Sequence, residues 1–252
     1  MAANFRLDGR CALVTGAGRG LGQAMAVALA EAGADVAGVD IVVADETRTQ
    51  VEAAGRRFVA IEQDLRGPEA AHRVVAQATS AMGRLDILIN NAGIIRRADS
   101  IDFTEADWDD VIDVNLKSVF FLAQAAARQF FAQGDGGKIV NVASMLSFQG
   151  GIRVPSYTAS KSGVLGLTRL LANEWAARGI NVNAIAPGYM ATANTAPLRA
   201  DAARSAEILA RIPAGRWGEP ADLAGTVVFL CSPASDYVHG SVIAVDGGWL
   251  AR

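Results

Sequence analysis

Short apolar runs alternate along this chain with longer segments in which apolar residues recur at helical spacing. The runs of strand character fall at 11–15, 35–39, 58–62, 87–90, 138–142, 181–185 and 242–245. Each is too short for a helix and is followed by a helical pattern, the first of which ends near Glu31. That alternation predicts βαβ units, hence an α/β fold with a seven-stranded parallel sheet and helices on both faces. Gly33, Gly55, Gly83, Gly136 with Gly137, and Gly179 each follow a helical run, where a left-handed cap ends a helix at little cost. No low-complexity tract divides the chain, so residues 1–252 are read as one domain, a length that α/β cores commonly reach.

Two segments break the rhythm. Residues 143–156 follow a strand yet delay the next helix, and residues 189–216 follow Pro187-Gly188 without a strand. Loops of that length in compact domains usually carry function, and in open parallel sheets ligands bind where such loops leave the carboxyl ends of the strands. Trp249 and Leu250, beyond the last strand, read as an exposed tail.

Composition narrows the function. The net charge is −3, and no short window is dominated by Lys and Arg, so the chain lacks the electrostatic footprint of a nucleic-acid binder and a small-molecule substrate is favoured. Cys11 and Cys231 are too few for a disulfide framework and read as core thiols. The start, MAANFRLDGR, has no apolar signal core, and no stretch approaches the ~20 apolar residues of a membrane span, so a soluble cytoplasmic protein is expected.

The segment TGAGRGLG, from Thr15 to Gly22, joins the first strand to the first helix. Glycines there let the backbone approach a pyrophosphate at a helix N-terminus, where free N–H groups and the helix dipole favour an anion. Gly16, Arg19, Gly20, Leu21 and Gly22 are therefore candidate dinucleotide contacts on a doubly wound Rossmann fold. Asp40, about twenty residues on, is placed to accept hydrogen bonds from the adenosine ribose and to repel a 2′-phosphate, which favours NAD over NADP. Arg19 pulls the other way, since a guanidinium attracts that phosphate. Asp64, after the third strand, is a candidate for the adenine edge, with helix capping as its alternative.

Tyr157 and Lys161 stand one helical turn apart in PSYTASKSGVLGL. A phenol titrates near pH 10, and an ammonium ~4 Å away stabilises the phenolate by about 1 kcal/mol in water but about 4 kcal/mol at an effective dielectric near 20. Such a pair works only in a partly dry pocket. Ser144, thirteen residues before Tyr157, is placed to hold a substrate oxygen, and Asn115 in DVIDVNLKSVFF is a polar group in an apolar run whose main-chain carbonyl can hold a relay water toward Lys161. His72 and His239 have no carboxylate and nucleophile nearby, and no His, Cys and Asp cluster has metal-ligand spacing, so no metal is expected.

Together TGAGRGLG, Asn90-Asn91-Ala92-Gly93, Asn115, Ser144, Tyr157 with Lys161, and Pro187-Gly188 resemble the short-chain dehydrogenase/reductase family, from about Leu7 to the C-terminus. The resemblance implies that Tyr157 is the general acid/base, that Lys161 lowers its pKa and binds the nicotinamide ribose, that Ser144 positions the substrate oxygen and that Asn115 supports a proton relay. It further implies that Asp64, Leu65, Asn91, Ala92 and Gly93 flank the adenosine side, that Pro187, Gly188, Met190 and Thr192 lie along the nicotinamide, and that the protein is a homotetramer.

Within the family, the stretches IRR, ASMLSFQGGIRVPSYTASKSG, RSAEIL, RIPAGRWG and AVDGGWLAR resemble sugar-acid dehydrogenases of pectin and uronate breakdown. They imply NAD-dependent interconversion of a 3-deoxy-2-keto sugar acid and its 2,5-diketo form. A carboxylated substrate calls for a guanidinium that binds both oxygens. Arg97 and Arg153 are the candidates, each with a surface role as its alternative. Gln149 can bond a hydroxyl, whereas Met145, Leu146 and Phe148 read as wall. Another polyol or sugar-acid dehydrogenase, a 3-oxoacyl carrier-protein reductase and a catalytically silent nucleotide-binding regulator remain as alternatives.

Overall fold

Seven strands, β1 (Cys11–Thr15), β2 (Asp35–Asp40), β3 (Phe58–Glu62), β4 (Ile87–Asn90), β5 (Gly137–Val142), β6 (Ile180–Pro187) and β7 (Val242–Val245), form one sheet in the order β3-β2-β1-β4-β5-β6-β7. The structure is a computed structural model that describes residues 4–42, 44–67 and 69–252. Every pairing is parallel, as the alternation predicts, and the fold is the expected Rossmann-like α/β arrangement.

Strand residues divide between the two faces with period two. Val14, Val36, Ile87, Ile89, Val140 and Val142 join one apolar cluster with Met25 and Leu29 of helix α1 (Gly20–Glu31). Val51, from α2 (Asp45–Ala53), belongs to the same cluster. Leu13, Ala37, Val39, Leu88 and Ile139 join the other, with Val74 and Ala78 of α3 (Ala70–Met82). Continuous apolar strands follow from this burial on both faces. All five residues of β1 are buried.

Two further helices, α4 (Glu105–Ile112) and α5 (Ser118–Gln133), are joined by a single π turn at Asp113–Lys117. The long α6 (Pro155–Trp175) carries Pro155 in its first turn, where a missing N–H and a fixed φ are tolerated. Residues 189–216 are not a plain loop: they hold α7 (Ala196–Ala200) and α8 (Ala202–Arg211), the latter capped by the Asp201 carboxylate on the Arg204 N–H. The last helix, α9 (Ala224–Cys231), precedes β7.

Three expectations need correction. The left-handed residue ending α5 is Gly134, φ 82°, rather than Gly136 or Gly137; Gly137 already belongs to β5, and a Cβ there would strike the Phe130 ring. Asp64 caps no helix, because α3 begins at Ala70 behind Glu69. Trp249 is only 4% exposed and packs with Met145, Ile208 and Ile212 in a small cluster apart from the sheet. Its partners come from distant segments, so local pattern could not reveal the burial. Cys11 and Cys231 are free and buried, and burial raises both thiol pKa values. Among the described residues, no group of acidic, His and Cys side chains is arranged to hold a metal, and no helix is long and apolar enough to cross a membrane.

Candidate active site

Strand order reverses between β1 and β4, which lie side by side, so the turns leaving them share one crevice. The Thr15 hydroxyl closes it: it accepts from the N–H groups of Asn91 and Ala92, each at 3.0 Å, and donates to the Ile89 carbonyl at 3.3 Å. The Asn91 amide returns the contact, donating to the carbonyls of Thr15 at 2.9 Å and Gly16 at 3.2 Å. Gly16 (φ 65°) and Gly20 (φ 60°) sit in the left-handed region. A Cβ on Gly22 would strike the Gly16 carbonyl, whereas one on Gly20 would meet only Thr192 Cγ2 at 3.9 Å.

The glycine turn thus presents open main chain on its outer side, with Thr192 beside it. No side chain caps α1, so its leading N–H groups remain available to an anion. This cradle fits the pyrophosphate of a dinucleotide. The Asp40 carboxylate lies beside it, accepting from the Gly18 N–H at 2.9 Å and the Ile41 N–H at 2.8 Å. Arg19 is exposed, and among the described residues it faces no carboxylate.

Asp64 is engaged by Arg66 at 2.6 Å, which holds its carboxyl below the usual range; Arg66 also reaches Asp110. Leu65 packs against the second core cluster. On the opposite flank, Pro187 ends β6, the Gly188 N–H donates to the Val245 carbonyl at 3.0 Å, and a Cβ on Gly188 would come within 2.6 Å of the Asp246 backbone. Met190, buried, bridges to Gly218.

Ser144 follows β5 and is 7% exposed. Its hydroxyl accepts from the Leu146 N–H at 3.1 Å, and its polarity pulls the pKa of the Tyr157 phenol down. Ser147, one short turn on, accepts from the Ser144 N–H and donates to the Lys161 carbonyl at 2.7 Å, fastening this loop to α6. Asn115 occupies the π turn. Its amide spans the Ile94 backbone with two bonds of 2.9 Å and reaches Ser160 Oγ at 3.4 Å, while that hydroxyl donates to the Tyr157 carbonyl. π turns often mark functional positions in helices. Behind them Asn90 bonds Asn141, which bonds Thr168, a buried polar chain across β4, β5 and α6.

Tyr157 and Lys161 are one turn apart on α6, as their spacing requires. The Lys161 ammonium lies 5.8 Å from the Tyr157 ring centre and donates to the Val142 carbonyl at 2.7 Å. Burial lowers its pKa to about 8. Burial raises that of the phenol, and the Ser144 hydroxyl and the Arg97 charge pull it back only in part. Lys161 is buried and Tyr157 half-buried, which gives the pair the partly dry setting it demands. In this arrangement the Lys161 ammonium is bonded to main chain, and Arg97 adds a smaller downward pull on the phenol, which sequence spacing did not reveal.

The two candidate arginines differ. Arg97 bonds only a neutral acceptor, the Asn194 carbonyl at 3.0 Å. Arg153 sits in left-handed backbone at φ 63° and pairs with the Asp99 carboxylate at 3.0 Å, both side chains being well exposed. Gln149 accepts from Arg211 at 3.4 Å. Phe148 is half exposed, whereas Met145 is buried in the Trp249 cluster. Thr15, Ser147, Ser160 and Arg211 were missed from sequence because only tertiary contacts mark them.

A glycine cradle at the sheet's reversal point, beside a serine, tyrosine and lysine, defines a nicotinamide-dependent dehydrogenase, and the chain belongs to the short-chain dehydrogenase/reductase family. The family model described as enoyl-(acyl carrier protein) reductase matches residues 16–250. The chain is 64% identical over 248 residues, 98% of each chain, to 2-dehydro-3-deoxy-D-gluconate 5-dehydrogenase of Escherichia coli K12. It is also 61% identical, with a TM-score of 0.94 over 99% of each chain, to a structure from Agrobacterium tumefaciens assigned as a 2-deoxy-D-gluconate 3-dehydrogenase with bound NADP. A gluconate 5-dehydrogenase from Burkholderia cenocepacia, in complex with NADP and tartrate, is 39% identical, with a TM-score of 0.93 over 99% of this chain and 98% of that one. The protein is an oxidoreductase acting on CH–OH groups.

Proposed function

We propose that this protein interconverts 2-dehydro-3-deoxy-D-gluconate and 3-deoxy-D-glycero-2,5-hexodiulosonate with NAD(H), within one domain that holds both sites. The observation that carries the reading is the set of Ser144, Tyr157 and Lys161, the last two one turn apart on α6, in a chain 64% identical to a dehydrogenase of that name. Ser144 holds the C5 oxygen by its hydroxyl. Tyr157 takes the proton of the C5 hydroxyl during oxidation and returns it during reduction. When bound, the nicotinamide supplies or accepts the hydride at C5. Lys161 lies where a bound nicotinamide ribose adds a hydroxyl partner, and Asn115 holds the Ile94 segment and the start of α6 in register for the relay.

The Arg97 charge favours the ionised form of the phenol. Asp40 supports NAD, because its carboxylate is held by two main-chain N–H groups beside the glycine turn, and a fixed carboxylate there would oppose a 2′-phosphate. The NADP bound by both structural relatives and the exposed Arg19 favour a second reading, an NADP-dependent dehydrogenase of gluconate type. Trp108 on α4, Phe121 on α5 and Leu170 on α6 remain 40–47% exposed, which supports burial in a homotetramer.

The test is loss of reduced-nicotinamide absorbance with the 2,5-diketo acid, beside 5-ketogluconate and an acetoacetyl thioester, each with NADH and NADPH. The proposal expects fastest turnover of the diketo acid with NADH. Turnover confined to 5-ketogluconate with NADPH establishes the second reading instead.

A further inference from the structure

Six arginines in or beside the 143–156 and 189–216 segments fall into two groups. Arg153, Arg204 and Arg216 each face a carboxylate, Asp99, Glu207 and Asp222 respectively. Arg97, Arg199 and Arg211 bond neutral acceptors: the Asn194 carbonyl, the Thr192 carbonyl and the Gln149 amide oxygen. A guanidinium held only by neutral acceptors keeps its charge for an anionic ligand. Arg199 is tied to Thr192 beside the glycine turn, and Arg97 bears on the phenol. Arg211 is left on the far side of the site.

Its position is built. Arg211 ends α8, and its guanidinium lies over the Trp249 ring at 4.1 Å. That ring is buried, with Tyr189 edge-on at 4.8 Å and Met145, Ile208 and Ile212 around it. Stacking on an indole fixes the plane of a guanidinium and leaves its N–H edge free. The edge points to Gln149, whose own main-chain N–H donates to the Met145 carbonyl at 3.3 Å, so Gln149 stands one helical turn beyond Met145, the residue that follows Ser144. One turn advances about 5 Å. In a 2,5-diketo hexonate the carboxylate lies four bonds from C5, also about 5 Å at ordinary bond lengths.

We propose that Arg211 is a specificity-determining residue whose guanidinium, set by Trp249 and Gln149, receives the substrate carboxylate. The proposal rests on the sugar-acid reading above. The bond to Gln149 is long at 3.4 Å and gives way readily to shorter, charge-assisted bonds from a carboxylate. Because α8 lies in the 189–216 excursion while Gln149 belongs to the Ser144–Tyr157 loop, the same anion would draw both segments together.

The test compares wild type with Arg211→Met and Arg211→Lys on the 2,5-diketo acid and on its neutral C1 amide. Arg211→Met is expected to raise KM for the acid about 10- to 100-fold, as loss of a charged hydrogen-bonded pair does, with kcat changed less than about threefold. KM for the amide should move less than about twofold, and Arg211→Lys should recover part of the loss. Melting temperature and NADH affinity, read by fluorescence, separate this from a packing role, which would shift them and raise both KM values together. An unchanged KM for the acid, or equal rises for acid and amide, overturns the assignment while leaving the sugar-acid reading intact. If wild type turns over no carboxylated substrate, both fall.

Discussion

The two halves of the site are made of different materials. On the β1–β4 side the surface offered to a ligand is main chain: glycine turns, the leading N–H groups of α1, and turns tied together by Thr15 and Asn91. On the β5–β6 side it is made of side chains, namely Ser144, Tyr157 and Lys161, with the guanidinium of Arg97 reaching in from the segment after β4. The first half is intolerant of an added Cβ but indifferent to most side-chain chemistry; the second is the reverse. The contrast teaches where change of substrate can occur without rebuilding the cofactor cradle.

The comparison is broken most severely at Tyr157. Tyr157→Phe should lower kcat by about a thousandfold, in the upper range for loss of an acid/base group, while NADH affinity read by fluorescence stays within about twofold. A matching loss of NADH affinity would show that the halves are not separable.

Next in size is the cost of burying Lys161. Its folded pKa of about 8 lies below its ordinary 10.5, so the folded protein releases this proton before the unfolded chain does. Stability relative to Lys161→Met should therefore be flat below pH 8, rise between pH 8 and 10.5, and level off above, by on the order of 3 kcal/mol in total. Urea unfolding of both forms across that range checks it. A flat difference would mean that the ammonium is better solvated than the structure shows.

Asp40→Ala tests the main-chain half and should shift the kcat/KM ratio toward NADP by about tenfold, because a fixed carboxylate no longer opposes a 2′-phosphate. An unchanged ratio would assign cofactor choice to Arg19. The smallest effect belongs to Arg153→Ala, which removes an exposed pair with Asp99 and should change KM less than about twofold. A larger rise confined to carboxylated substrates would place Arg153, not Arg211, at the substrate anion.

Legibility in the sequence divides along the same line. All seven strands, the glycine turn, and the Tyr157–Lys161 spacing were readable, because each depends on local periodicity or on a backbone conformation that only certain residues adopt. The burial of Trp249, the helices within 189–216, and the charge of Arg97 near Tyr157 were not. Each arises from contacts between segments many tens of residues apart, for which a single sequence carries no local signal. Arg97 and Arg153 looked equivalent for that reason; only folding gives one of them an acidic neighbour.

The Thr15 hydroxyl has a consequence for motion. Its single proton and its accepting capacity are all used within the protein, on Ile89, Asn91 and Ala92. Neither turn at the crevice can swing outward without stripping this oxygen of its partners in a water-poor interior, where an orphaned polar group costs about 1–3 kcal/mol. The two turns therefore fluctuate as one body, and breathing of the crevice becomes a rare, concerted opening rather than independent flicker of two loops.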